Sequence, residues 1–580
     1  MIRTFPSFLN RFLLVAFLFF LVNGCGNSQA GKSGTKGEVN HELSGGLFKM
    51  SLSDNVLSIF PHNLVDAAAF NLMNQVYEGL FELDEKTKEF KPKLAESYTV
   101  SEDGKIYTIV LKKGIFFHDD PIFPEGKGRE VKAKDVIHCF TKLCEPSENN
   151  ALYPYVIDLI KGASEFRQAK IKGEKTSESP EGLRMVNEYT LEIELEHPTP
   201  IFLAILTHPC CWIFPKELYE YEDQINNWCI GTGPFKAFTI KMNDVVIFQR
   251  NKNYREIDSL GRSLPYLDAV RCNFVENERD QLDAFLDGNL DLIFTVPRDN
   301  IQQLVESAKN ENTSYSILTI PGMRVEYYGF QHRSELFGDV DVRRAINYAI
   351  DRQFLVDSVL KGFGEPAIYG FVPPSAPGYD ANSIEGYTFN PDRAKELLIG
   401  AGYGDSQSFP VLTIQINDGN LTALEVAEAV QKMLADNLSI TVELSILPRD
   451  KHYEQIELGN VDIWRDGWIA DYPDPENFLK LFHGKLVPDD SVKASYLNTV
   501  RFNDPNFDEY FELSTRETNS KIRQELLLKA DSIVIDKAAV APLYYEEWVW
   551  LVNKRVKNLS VSPMGNLDLS QVYLSKEEVE

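Results

Sequence analysis

What this chain lacks narrows it more than what it holds. Its seven cysteines include no C-x-x-C pair and no metal-site spacing, which removes the usual zinc and thioredoxin-like motifs. G-x-S-x-G and H-E-x-x-H are both missing, and with them the common signatures of an exported serine hydrolase or zinc protease. The turn Gly231-Thr232-Gly233-Pro234-Phe235 has no third glycine and leads into a strand-like run, so it is not a dinucleotide fingerprint. Positive charge is scarce: 59 Lys and Arg against 86 Asp and Glu leave a net charge of −27. Nucleic acid and anionic lipid surfaces are poor partners for such a chain. The apolar run Phe12 to Val22 is shorter than the ~20 residues of a membrane helix and has the length of a secretory h-region, following Arg3 and Arg11.

The most informative stretch present is Arg465-Asp466-Gly467-Trp468-Ile469-Ala470-Asp471-Tyr472-Pro473-Asp474-Pro475-Glu476-Asn477. It follows Val461 to Trp464, which reads as the end of a strand. Two aromatic rings, a fixed Pro-Asp-Pro turn and one carboxylate, Asp471, stand together. A solvated loop has no need of Trp468 and Tyr472, and a core strand has no use for Asp471. Together they suit a cleft wall that recognises something cationic and partly apolar. The plainer alternatives are that Asp471 caps the turn, that Trp468 is core, and that Arg465 pairs with Asp466 or Asp462 at the surface.

Val22-Asn23-Gly24-Cys25 resembles a bacterial lipobox. That likeness implies cleavage before Cys25 and lipid on it. The Gly-, Ser-, Lys- and Asn-rich segment from Gly26 to about Glu42 cannot bury a core and reads as a tether. The remaining length exceeds one core, so two or three domains are expected. A hydrophobic content of 43% is that of a globular protein.

Strand-like segments (Gly104 to Leu111, Lys113 to Asp120, Tyr189 to Leu195, Asp244 to Gln249, Leu412 to Ile416, Ile440 to Leu447) alternate with helical ones. The helical segments include Ala67 to Leu80, Val340 to Leu360, Pro391 to Ala401 and Ala423 to Asn437. Lys161 to Pro180 is polar and reads as a surface connection. This pattern argues for an α/β layer architecture. Among the other six cysteines, Cys229 with Cys272 is the expected disulfide if any forms.

Several phrases, in this order, resemble the peptide-binding subunits of bacterial ABC importers, the oligopeptide and dipeptide solute-binding family 5. They are Tyr77-Glu78-Gly79-Leu80, Leu94-Ala95-Glu96-Ser97, Leu111 to His118, Ala133-Lys134-Asp135-Val136, Gly231-Thr232-Gly233-Pro234, Asp341 to Arg352, Ala394 to Leu398 and Gly467 to Leu479. The resemblance implies a periplasmic-binding-protein-like fold: two lobes with a hinge, in the large three-domain variant. On that division 1–24 is a lipoprotein signal peptide and 25–43 a tether. Residues 44–82, 200–320 and 547–575 form a discontinuous domain, 83–199 an inserted domain, and 321–546 the third.

By the same resemblance Asp471 takes the α-ammonium of a peptide and Trp468 flanks a side-chain pocket; Tyr472 stays a candidate for the cleft wall from its place in the stretch above. Gly467, Trp468 and Ile469 pair with the peptide main chain opposite Asn55 and Val56, and Arg465 helps hold the ligand carboxylate. The implied partners are short peptides with a free N-terminus, ABC permease and ATPase subunits, and the membrane through the lipid on Cys25. The implied molecule is a monomeric binding protein of the cell envelope, with no cofactor, metal or enzyme activity. The same fold with another solute (an amino-acid conjugate, nickel complex, haem or sugar) is the alternative, and an exported hydrolase the distant one.

Overall fold

A computed structural model of the chain describes residues 45–53, 56–84, 89–404, 408–490 and 493–575. The leader, Cys25, the tether and Asn55 lie outside them.

Two long strands organise the molecule. Tyr315–Phe330 and Val540–Asn553 are rich in Val, Ile, Tyr, Phe and Trp, residues that suit a pleated surface. They pair antiparallel from Tyr315 opposite Asn553 to Gly329 opposite Val540. The register shifts between Pro321 and Val325, where proline cannot donate to the ladder. Before the shift the pair adjoins Leu292–Ile293; beyond it Ile463–Ile469 adds to the other edge. Each long strand therefore serves two lobes in turn.

Around this pair runs a sheet of eleven strands among the described residues. On one side stand Leu292–Ile293, Leu47–Leu52, Ala269–Phe274, Val245–Arg250 and Phe235–Lys241. On the other stand Ile463–Ile469, Leu412–Asn417 and Val442–Leu447, and Glu365–Pro366 pairs with Val540–Asn553. Leu412–Asn417 and Val442–Leu447 are parallel and joined by the helix Leu421–Leu438, a connection that parallel strands require. A separate antiparallel sheet of four strands holds Ala95–Val100, Ile106–Leu111, Thr190–Glu194 and Leu183–Asn187. The largest apolar core draws on residues from Phe48 to Leu292 and Trp550 to Val572. Two further cores lie wholly within Met323 to Tyr545. The α/β, two-lobed architecture is thus present.

Five local expectations need correction. The strand ending at Trp464 continues to Ile469, because Arg324 to Phe330 supplies a partner for every residue from Ile463 on. The helix expected over 340–360 stops at Ala349: Ile350 is extended, and Asp351 caps a new short helix by accepting from the Phe354 amide at 3.0 Å. The polar connection 161–180 contains the helix Ala163–Lys172. The segment 113–120 contributes only an isolated bridge, Phe116 with Glu130. Cys229 and Cys272 do not pair; the six cysteines from Cys139 to Cys272 are free and buried, each packed into the largest core.

Candidate ligand-binding site

Between Ile469 and Asn477 the chain leaves the sheet through a turn that is fixed from several sides. The Ala470 amide donates to the Met323 carbonyl at 3.0 Å, the last rung before the turn. Asp474 is clamped by the Arg523 guanidinium through two bonds of 2.7 and 2.8 Å. Its Oδ1 also accepts from the Glu476 amide at 2.9 Å. The side chain of Asn477 is fully buried and joins the pieces. Its Oδ1 accepts from Trp468 Nε1 at 2.8 Å and from the Asp471 amide at 3.2 Å, and its Nδ2 donates to Asp471 Oδ2 at 3.1 Å. The carboxylate of Asp471 is therefore aimed by its own loop.

Asp471 faces a cavity of about 490 Å³, within the range of small-ligand sites. Ile469, Ala470 and Pro473 share its wall, and Tyr77, Trp212, His208 and Trp548 line it from elsewhere. Tyr155, from the segment between the strands Ile106–Leu111 and Leu183–Asn187, comes close to Asp471; burial and then that carboxylate push the phenol up. The Tyr155 ring stacks on His208 at 4.3 Å. Burial pushes His208 down to about 4, against the pull of Asp471, so the ring is neutral at pH 7. Its Nδ1 accepts from the Cys210 amide at 3.2 Å, which places the ring proton on Nε2.

Glu78 also lines the cavity. Burial alone would push its carboxyl up, but Arg255, at 2.7 and 3.1 Å, and Lys93 outweigh burial and hold it down at about 2.

The remaining candidates fall in several places. Gly467 lies opposite Glu326, and an added Cβ would meet Glu326 Oε1 at 2.2 Å; only glycine fits. Arg465 pairs with neither Asp466 nor Asp462. It is bound by Glu326, with Nε to Oε2 at 2.8 Å, and its Nη1 reaches Asn417 at 3.2 Å. It borders a second cavity of about 840 Å³ with Arg449, Glu278 and Asn417. Trp468 is half-buried against the second core rather than on the cavity wall. Tyr472 is buried, gives its hydroxyl to Glu476 and packs into the largest core. Val56 is buried, and its amide is taken by Asn243 at 2.9 Å.

The strand Ile463–Ile469 has one open edge. Leu412–Asn417 pairs with it only at Ile463 and Trp464. Beyond, the Arg465 carbonyl accepts from His452, and the Gly467 amide donates to Asp466 Oδ1 at 2.8 Å. Main-chain groups of alternate residues share a side. The Gly467 carbonyl and both main-chain groups of Ile469 therefore face the same edge, between the second cavity at Arg465 and the first at Asp471.

The profile of the bacterial extracellular solute-binding proteins, family 5, matches residues 89–487. The chain belongs to that family. It is 27% identical to the oligopeptide-binding protein OppA of Bacillus subtilis (strain 168) over 564 residues, 95% of each chain. It is 26% identical to the heme-binding protein A of Haemophilus influenzae over 564 residues, 95% of this chain and 97% of that one. Among solved structures it resembles the periplasmic binding protein DppA of Helicobacter pylori in complex with the peptide STSA. That match has a TM-score of 0.70 at 24% identity and covers 92% and 99% of the two chains. HbpA2 of Haemophilus parasuis gives 0.75 at 23% identity, over 92% and 100%. Family membership makes this chain an extracellular solute-binding protein. No helix among the described residues is long and apolar enough to cross a membrane.

Sequence reasoning missed Asn477, Lys480 and Tyr155 as parts of the site. Asn477 and Lys480 lay inside or just after the phrase that was read. Tyr155 carries no local signal, because only the tertiary fold brings it to Asp471.

Proposed function

We propose that this protein is a lipid-anchored, extracytoplasmic receptor that captures short peptides bearing a free amino terminus and passes them to an ABC permease. The observation that carries the reading is Asp471, a carboxylate on the cavity wall at the end of an open strand edge. An ammonium offers three donors, and charge-assisted bonds to a carboxylate contribute about 1.5–3 kcal/mol each. The free groups of Gly467 and Ile469 offer a peptide main chain a partner without reading its side chains. The names of relatives are in keeping with this, OppA being an oligopeptide-binding protein and DppA holding STSA. Lobe closure would seal the solute inside, with Tyr155 already close to Asp471.

The lipid on Cys25, the domain boundaries and the monomeric state belong to this proposal. So does the absence of catalysis. The spelling G-x-x-x-x-G-K-S does occur once, at Gly26 to Ser33. It falls in the segment read as a tether, directly after the apolar run read as a leader, so ATP hydrolysis is assigned to partner subunits.

Two relatives favour weighing other solutes: the heme-binding protein A and glutathione-binding proteins of Salmonella, 26% identical over 518 residues. Glutathione keeps an α-ammonium and fits the same carboxylate. Haem fits less well, since the cavity histidine, His208, presents a protonated Nε2 that donates rather than ligates. Titrating the purified protein with peptides, glutathione and haem by calorimetry tests the reading. Peptide binding that falls at least tenfold in Asp471→Ala supports it; haem binding with no peptide binding overturns it.

A further inference from the structure

Asp471 already has a cation. Lys480 Nζ stands 3.2 Å from its Oδ2. The same ammonium lies 5.6 Å from the Trp468 ring centroid and 5.1 Å from that of Tyr472, within reach of cation–π attraction. Its side chain is only 20% exposed. Neither ring, nor Lys480 itself, is on the cavity wall, whereas Asp471 is. Lys480 therefore approaches the carboxylate from the protein side, sharing Oδ2 with Asn477. It also attracts Glu476, a buried carboxyl pushed up by burial and eased down by Lys480 and Tyr472. The turn thus fixes a permanent counter-cation behind the group that faces the ligand.

We infer that Lys480 is a specificity-setting residue: its fixed ammonium offsets part of the charge that Asp471 presents to the cavity and so limits how strongly the receptor prefers solutes with a free ammonium. This rests on the reading of Asp471 as the ligand's partner. A ligand ammonium entering from the cavity side makes a second cation at one carboxylate, and the two repel across a few ångströms of partly desolvated space. The attraction remains, but each binding event is weaker than with an isolated aspartate. A receptor that must release its solute to a permease gains from that moderation, and solutes with a masked amine lose less.

The test uses tri- to penta-alanine and their N-acetylated forms, titrated into the purified wild type, Lys480→Met, Lys480→Arg and Asp471→Asn. The readout is the ratio of affinities, free amine over acetylated. The inference expects about tenfold in wild type, a further rise of about tenfold in Lys480→Met, the wild-type ratio in Lys480→Arg, and a ratio near one in Asp471→Asn. A ratio in Lys480→Met equal to wild type, with Asp471→Asn still lowering it, overturns the role of Lys480 alone. An unchanged ratio in Asp471→Asn, or no peptide bound by any form, overturns the reading of Asp471 and this one with it. If Lys480→Met does not fold by thermal melting, Lys480→Gln, which keeps a donor to Asp471 without charge, is held to the same rise.

Discussion

Single side chains in this site are held by neighbours that sequence spacing alone does not reveal. Asn477 is the clearest case, since one buried amide serves both Trp468 and Asp471. Replacing it by Ala leaves the indole N–H and the Asp471 amide without their acceptor and costs about 1–3 kcal/mol of stability. Chemical denaturation should show that loss, with peptide affinity falling at the same time. Glu78 makes a pH prediction. Its folded carboxyl is held at about 2, below the ordinary 4.5, burial being outweighed by Arg255 and Lys93. A depressed carboxyl contributes stability above its unfolded value and loses it as pH falls through the folded one. The wild type should therefore lose about 3 kcal/mol between pH 4.5 and 2 from this group. Glu78→Gln should be less stable at pH 7, because Arg255 is left without its partner, and should show a shallower acid limb in unfolding free energy against pH.

At the scale of elements, the site is an edge. Ile463–Ile469 is fully paired with Arg324–Phe330 on one side and open past Trp464 on the other. The Ile469 amide faces the open side, so proline there removes a donor from the ligand's edge and none from the ladder. Ile469→Pro should keep the melting temperature within a few degrees while peptide affinity falls roughly fivefold to tenfold, the worth of about one hydrogen bond. Calorimetry beside a thermal melt separates the two effects.

The strands and helices with clean periodicity were readable from sequence. Leu412–Asn417, Leu421–Leu438 and Pro391–Gly400 fall within a few residues of where alternation, spacing and the proline start place them. What was not readable was set by partners distant in sequence. Arg465 to Ile469 is a strand because Arg324 to Tyr328 lies beside it. Arg465 was expected to meet a neighbouring aspartate or a ligand; its ion-pair partner within the chain is Glu326, 139 residues away. The helix break at Ile350 was hidden because apolar residues continue through it and only the cap at Asp351 marks it.

For the whole molecule, the two long strands carry the chain from lobe to lobe, and the candidate cavity takes Tyr77 and Trp212 from the largest core and Ala470 from the core that begins at Met323. Asp471 belongs to one side, and Tyr155 reaches it from the other. The role proposed for this carboxylate is to receive the solute's ammonium. A thermodynamic cycle measures that contact alone: wild type and Asp471→Ala, each titrated by calorimetry with trialanine and N-acetyl-trialanine. Acetylation is expected to weaken binding to the wild type by about tenfold or more and to have no effect on binding to Asp471→Ala. Acetylation that costs both proteins the same would contradict it.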